Sequence, residues 1–382
     1  SLTEGINHHV LHVYIQQPDD ERIPGINAWF STEFNRHNTW FDQGSAWVDY
    51  LRRCQHLLQQ GKYAADVCYF IGEDAPKMTG ARDPELPDGY SYDYINAEVI
   101  LNRLSVENGR LMLPDGMNYG LMVLPRLTTM RPEVISRIEE LVKQGAMVLG
   151  PKPERSPSLQ GYPQCDELVS QAAARLWPDT YEKGKLVNKY GKGYILDGVD
   201  ISEALALAGL SKDVDPGAEV PVLWTHRTMP GMEIYFLTNQ GDHTVEFEPS
   251  FRVKGLRPQL WDAVTGEIRK LNEYTVKEGR TSVPLKMEPL QSWFIVFTKA
   301  ENPLVAPGFS RNFPDPQTLV TIDQPWSVEF LNTDIGPEEP VAMPTLTDWT
   351  SSDDDRIRYY SGTAVYTTTF TVDKLPANGK LM

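Results

Sequence analysis

The chain has 382 residues, 41% hydrophobic and 23% charged, with 36 Lys and Arg against 52 Asp and Glu for a formal net charge of −16. At roughly 150 residues per domain this length predicts two or three domains, and the ordinary globular composition argues against disorder, collagen or coiled coil. So acidic a surface repels phosphate backbones and anionic lipid, which sets nucleic acid and membranes aside as partners, and no apolar run approaches the roughly 18–20 residues that span a bilayer.

In chain order, residues 1–17 lack the charged start, apolar stretch and small-residue cleavage site of a signal peptide. Residues 5–15 (GINHHVLHVYI) read as a strand already under way, with no earlier strand to pair with. A loop rich in Pro, Gly and Asp leads into an aromatic segment holding Trp29, Phe30, Phe34, Trp40 and Phe41. From about Asp42 to Gln60 the spacing of Trp47, Leu51, Cys54 and Leu58 predicts a helix, with Gly61 at its C-terminal cap. The almost continuous apolar run 64–71 predicts a strand covered on both faces. A helix is expected near 92–104 and a second buried strand at 120–124. An amphipathic helix follows over 132–144, with Pro132 in its first turn and Gly145 beyond its end. A third strand at 146–149 and a helix near 165–176 complete the pattern of a mostly parallel α/β sheet.

Residues 179–215 are mixed in character. From 219 to 299 the sequence alternates without helical periodicity, in seven or eight short strands divided by turns such as Thr265-Gly266 and Glu278-Gly279. This predicts an antiparallel β-sandwich. Four prolines mark 301–316 as a linker, and further β signals end in Tyr359–Val372. The chain therefore reads as 1–61, 62–215 (α/β), 216–300 (sandwich), a linker at 301–316, and a short β domain at 317–382. Its opening and closing pieces look incomplete, as expected of a fragment or of unusually small end domains.

Cys54, Cys68 and Cys165 are odd in number and widely spaced, and read as buried hydrophobes rather than a disulfide or zinc framework. The chain lacks a G-x-S-x-G elbow, a P-loop, a dinucleotide fingerprint and a His-Glu-x-x-His motif. His8 and His12 would share a strand face about 13 Å apart, too far for one metal ion. At a strand end, His12 could still touch a ligand.

The richest polar-aromatic cluster is Trp29–Trp40 (WFSTEFNRHNTW). A sugar presents an apolar C–H face that stacks on aromatic rings and a rim of hydroxyls that needs polar partners. Trp29 and Trp40 supply the first, and Asn35, Arg36, His37 and Asn38 the second. The competing reading makes the aromatics core plugs and Asn38 or Thr39 a helix cap. Glycoside hydrolysis needs two carboxylates, and among the acids of the first 75 residues Glu33 and the Glu73-Asp74 pair at a strand end are the candidates to test. Asp353-Asp354-Asp355 lacks the spacing of a calcium loop and reads as a solvated run.

The segments Gly5–His12, Phe34–Trp40, Tyr50–Gly61 and Ala65–Pro76 resemble glycoside hydrolase family 106, which contains α-L-rhamnosidases. Residues 325–372 resemble the start of the sugar-binding jelly-roll domain of β-galactosidase-like enzymes. The resemblance implies a multidomain fold: the last β/α unit of a (β/α)₈ barrel in residues 1–61, then a flavodoxin-like domain, a β-sandwich and a partial jelly roll. It further implies inverting hydrolysis of terminal α-L-rhamnosides by two glutamates, with calcium in the intact enzyme and a periplasmic or extracellular setting. The glutamates would belong to earlier barrel strands that have no match here, so no catalytic residue and no metal ligand is assigned to this chain. His12, Trp29, Asn35, Arg36, Asn38 and Trp40 would line the rim of the sugar pocket, and carbohydrate is the expected partner. The alternatives are a non-catalytic carbohydrate-binding or assembly module, and a barrel glycosidase of other, β-galactosidase-like specificity.

Overall fold

The structure, a computed structural model, describes residues 1–22, 25–26, 29, 34–38, 40–74, 82–299, 310–315 and 318–372. Most of the expected linker at 301–316 lies outside these residues. The chain forms two compact units, one of residues 1–9 and 49–313 and the other of residues 10–48 and 314–382.

In the first unit a six-stranded sheet runs in the order Tyr92–Ile95, Val67–Phe70, Leu121–Val123, Met147–Leu149, Gly193–Asp197, Leu186–Tyr190. Its first five strands are parallel, and the sixth pairs antiparallel with its neighbour. Val67–Phe70 is buried at every position because side chains alternate into two cores. Cys68 and Phe70 join helices α2 (Ala97–Asn102), α3 (Pro132–Gln144) and α4 (Gln164–Leu176) on one face. Val67 and Tyr69 meet α5 (Ile201–Leu207) on the other. In α3 the residues Val134, Ile135, Ile138, Leu141 and Val142 are wholly buried, the i, i+1, i+4, i+7, i+8 stripe of a helix covering a sheet. Pro132 opens it, and Gly145, at φ +135°, closes it by donating to the Leu141 and Val142 carbonyls.

The helix expected near 92–104 begins later than its periodicity indicated. Residues 92–95 are an edge strand, and only at Asn96, whose side chain accepts from Val99 N, does helix α2 start. The alternating Tyr-Asp-Tyr-Ile suits a pleated strand, and the Asn cap sets the boundary. Within the mixed stretch 179–215, a hairpin supplies two of the six strands.

The same unit holds a second, antiparallel six-stranded sheet in the order Lys62–Tyr63, Val222–Met229, Met232–Asn239, Ser292–Thr298, Arg257–Trp261, Ile268–Lys270. Its two central strands Met232–Asn239 and Ser292–Thr298 carry unbroken apolar runs at 234–237 and 293–297 because both faces are covered there. Tyr235, Leu237, Trp293, Ile295 and Phe297 pack with Val245, Phe251 and Leu285 of two smaller antiparallel sheets. Ile234, Phe236, Phe294 and Val296 pack with Cys54 and Leu58 of helix α1 (Gly44–Leu58). Gly61 follows α1 at φ +58°, where a Cβ would collide with the Thr228 carbonyl oxygen. Glu278 and Gly279 both take positive φ, 51° and 80°, giving the two-residue turn that joins 275–277 to 280–282.

Charged groups join the α/β and β layers where apolar burial ends. Asp66, directly before its strand, accepts a 2.8 Å bond from Arg252 Nη2. His226 lies between Asp213 (2.7 Å) and Glu233 (2.9 Å), and its ring stacks on Tyr235 at 3.9 Å. The Tyr235 hydroxyl donates to the other Asp213 oxygen at 2.9 Å. Burial would depress the His226 imidazolium, but Asp213 and Glu233 outweigh it and raise its pKa to about 9. Burial raises the Asp66 carboxyl, an effect that Arg252 only partly offsets.

In the second unit an antiparallel sheet of Val341–Met343, Trp326–Phe330 and Ala364–Thr367 packs Val328, Phe330 and Met343 against Ile357 and Tyr360. The acidic run at 353–355 does more than face solvent, since Asp354 caps the short helix Asp355–Arg358 by accepting from Arg356 N at 2.8 Å. The strand expected over 5–15 is not formed. Tyr14 makes one isolated parallel bridge to Phe34, and residues 6–13 carry no regular structure. A strand exists by virtue of a ladder partner, and among the described residues this apolar, β-prone sequence has only that bridge.

Candidate functional site

The cluster singled out by composition lies in residues 10–48, and its fold is set by side chains clamping backbone. Gln17, only 6% exposed, closes a two-way clamp on Ile26, its amide nitrogen donating to the carbonyl and its oxygen accepting from the amide, both at 2.7 Å. The Arg36 guanidinium donates to the Gln17 carbonyl at 2.7 Å and pairs with Asp20. Asn35, 1% exposed, forms an Asx turn by accepting from His37 N at 2.9 Å, while its carbonyl accepts from Asn38 N at 3.2 Å. Asn side chains favour such turns because the side-chain oxygen mimics a backbone acceptor. The Asn38 carbonyl then accepts from Phe41 N at 3.1 Å and the Trp40 carbonyl from Gly44 N at 2.9 Å, which leads the chain into α1.

This turn presents a ring cluster centred on Phe34, with centroids 5.8 Å from Tyr14, 5.7 Å from Trp40, 5.8 Å from Phe41 and 6.4 Å from Trp47. Phe34 and Phe41 are half-buried, whereas Trp40 and Trp47 remain 38% and 41% exposed. The two readings of these aromatics thus divide by residue: the phenylalanines plug a small core and the tryptophans keep a face to solvent. Beside Trp40, His37 Nε2 and Asn38 Nδ2 are buried nitrogens without a hydrogen-bond partner among the described residues. Asp20 lies 3.9 Å from His37 Nε2, beyond hydrogen-bond reach. Unpaired buried polar atoms are costly, and their presence next to an exposed indole is what a ligand with hydroxyl groups would satisfy.

The charge of the turn is locally neutral. Arg36 lies beside Asp20, holding that carboxyl below its ordinary range and being raised itself in return. Of the residues expected on a sugar rim, Asn35, Arg36, Asn38 and Trp40 share this turn. His12 is exposed, and Trp29 is 94% exposed. Asn35 serves as the buried organiser of the turn rather than as an outward donor. Gln17, Asp20 and His37 complete the arrangement; no spacing rule marks Gln17, because its clamp on Ile26 is a tertiary contact.

Of the carboxylates singled out in the sequence, Glu33 lies outside the described residues. Glu73 belongs to the first unit, where its side chain is 8% exposed and paired with Arg131. It also accepts from Arg131 N at 2.9 Å, supplying at the start of α3 the acceptor that an Arg N-cap lacks. Among the described residues no three His, Cys, Asp or Glu side chains converge as a metal site.

Comparison with known proteins adds an independent line. A family model described as alpha-L-rhamnosidase matches residues 1–276. The rhamnosidase from Novosphingobium sp. PP1Y is 31% identical and superposes with a TM-score of 0.83, over 97% of this chain and 35% of that one. A protein of Formosa agariphila named "Putative beta-glucuronidase" is 36% identical over 300 residues, which are 78% of this chain and 24% of that protein. The chain thus spans about a quarter to a third of the length of these relatives.

Proposed function

The chain belongs to the α-L-rhamnosidase family of glycoside hydrolases, and from that premise we propose that it is part of an enzyme hydrolysing terminal α-L-rhamnosyl bonds. The observation that carries its own share in the work is the turn 34–40, where an exposed indole adjoins two buried nitrogens that are unpaired among the described residues. Trp40 takes the apolar face of a deoxysugar, whose ring methyl adds to the surface that stacks, and His37 and Asn38 meet ring hydroxyls. Asn35, Gln17 and Arg36 hold the turn in place.

The reaction in this reading is an inverting displacement. One carboxylic acid protonates the leaving oxygen and a second carboxylate activates water, with the pair roughly 6.5–9.5 Å apart. Glu73 is engaged by Arg131, so the pair is assigned to parts of the enzyme other than these 382 residues. Residues 1–61 are read as the closing part of the catalytic barrel, 62–215 as a flavodoxin-like domain, 216–300 as a β-sandwich and 317–382 as the start of a sugar-binding domain. Parallel strands with helices on both faces, and β layers sharing one core, support the middle two assignments. Calcium, in this reading, belongs to the intact enzyme, since no three His, Cys, Asp or Glu side chains converge among the described residues to hold it.

The name of the Formosa agariphila relative raises the alternative of an acidic sugar. A glucuronide carboxylate asks for an unpaired cation, and in this turn Arg36 is already neutralised by Asp20, which favours a neutral sugar. The test is release of free rhamnose from an aryl α-L-rhamnoside by the intact enzyme, with the anomer formed first read by NMR. Release from the matching β-glucuronide and not from the rhamnoside would overturn the assignment.

A further inference from the structure

Within the first unit, a cleft of about 1010 Å³ runs between the edge strand Tyr92–Ile95 and the segment 214–227 of the β layers. Its volume is at the upper end of ligand sites, roughly 300–1,000 Å³. Tyr92–Ile95 is the edge strand of its sheet, and it sends Tyr92 and Tyr94, half-buried and 5.3 Å apart, into the cleft wall. Trp224 lines the same cleft, also half-buried. Arg82 lies over the Tyr92 ring at 4.9 Å, and Arg227 is spent on the carbonyls of Gln60 and Gly61 at 2.7 Å.

We propose that this cleft binds a neutral oligosaccharide. Aromatic rings with phenol and indole edges offer both the apolar faces and the hydrogen-bonding groups that pyranose rings need. Charge selects within that class. The cleft is lined by the acids Glu4, Asp88, Asp93 and Glu219 against the cations Arg82 and Arg227, an excess of negative charge that repels nucleotides, phosphates and uronic-acid chains. The volume of the cleft suits several linked rings rather than a single sugar. This site stands on residues other than the turn 34–40, so it holds or fails independently of the rhamnoside reading.

Affinity electrophoresis of the 382-residue chain in gels containing galactan, arabinogalactan or xyloglucan tests it, with polygalacturonate as the anionic control. At least one neutral polysaccharide is expected to retard the chain and polygalacturonate is not. Trp224→Ala should weaken retardation about tenfold, the change that about 1.4 kcal/mol of lost contact produces, while Val276→Ala, at an exposed position outside the cleft, leaves it unchanged. Tyr94→Phe, which keeps the ring and removes only the hydroxyl, guards against misfolding and should weaken it more mildly. No retardation by any neutral polymer, retardation by polygalacturonate, or a retardation that Trp224→Ala leaves at the wild-type level would each overturn the proposal.

Discussion

His226 Nδ1 lies 2.7 Å from Asp213 Oδ2, with both side chains buried between the α/β and β layers of the first unit. Asp213 is held below its ordinary range: burial raises it, and the imidazolium of His226 more than reverses that effect. Breaking a buried pair by removing one partner leaves an uncompensated charge and costs about 3–5 kcal/mol.

The pH dependence of stability follows from the sign of these shifts. The folded pKa of His226 is about 9 against a usual value near 6.5, so its contribution is fully present below about pH 6.5. It is lost as pH rises through about 9. Asp213 works in the opposite direction, its contribution being lost as pH falls through its depressed folded pKa. Thermal melts should therefore show Tm falling between about pH 6.5 and 9, and His226→Gln should flatten that limb and lower Tm at pH 6. A wild-type slope retained by His226→Gln would assign the titration elsewhere.

Asp66 and Arg252 make the companion link at 2.8 Å, with the Asp66 side chain 2% exposed and its second oxygen unpaired among the described residues. Arg252→Ala should cost about 3 kcal/mol, because it strands a buried carboxylate. In a double-mutant cycle, Asp66→Asn with Arg252→Met should recover at least about 1 kcal/mol relative to the sum of the single changes. Additive losses in denaturant melts would mean that the two groups act independently.

How far these features could be read from sequence depends on the range of the interactions behind them. Helix α3 was legible to the residue, since its apolar stripe, Pro132 and Gly145 are local signals. The doubly covered strand Val67–Phe70 was legible from its unbroken apolar run. The strand Tyr92–Ile95 was hidden, because four residues alternating by size give too short a pattern to separate from the helix behind them. Residues 5–15 show the converse: β-prone sequence is present, but among the described residues it has only one bridge partner. The turn 34–40 could be found by its residue types, whereas the clamp of Gln17 on Ile26 and the seam around His226 join residues far apart in sequence and leave no periodic trace.

Phe34 and Trp40 should separate packing from binding. Phe34 touches four rings, so Phe34→Ala should lower stability by about 2 kcal/mol or more. Trp40 is 38% exposed, and Trp40→Ala should cost under about 1 kcal/mol while weakening rhamnoside binding by the intact enzyme about tenfold. Calorimetry of both variants beside a Kd for rhamnose decides it. Unchanged affinity with a large drop in Tm would assign Trp40 to the core.

Residues 1–382 alone should not release p-nitrophenol from an α-L-rhamnoside above background. Inverting hydrolysis needs an acid and a base facing one sugar from opposite sides. In this chain Asp20 is paired with Arg36 and Glu73 with Arg131, so both carboxylates are engaged within the protein rather than presented to a sugar. Glu73→Gln in the intact enzyme should accordingly leave kcat unchanged and lower Tm, by about 1–2 kcal/mol of lost anchoring at the start of α3. Turnover by the 382-residue chain that survives repurification and disappears in Glu33→Gln or Glu73→Gln would place a catalytic acid within it. That result would contradict the anchoring role of Glu73, or put the acid at Glu33.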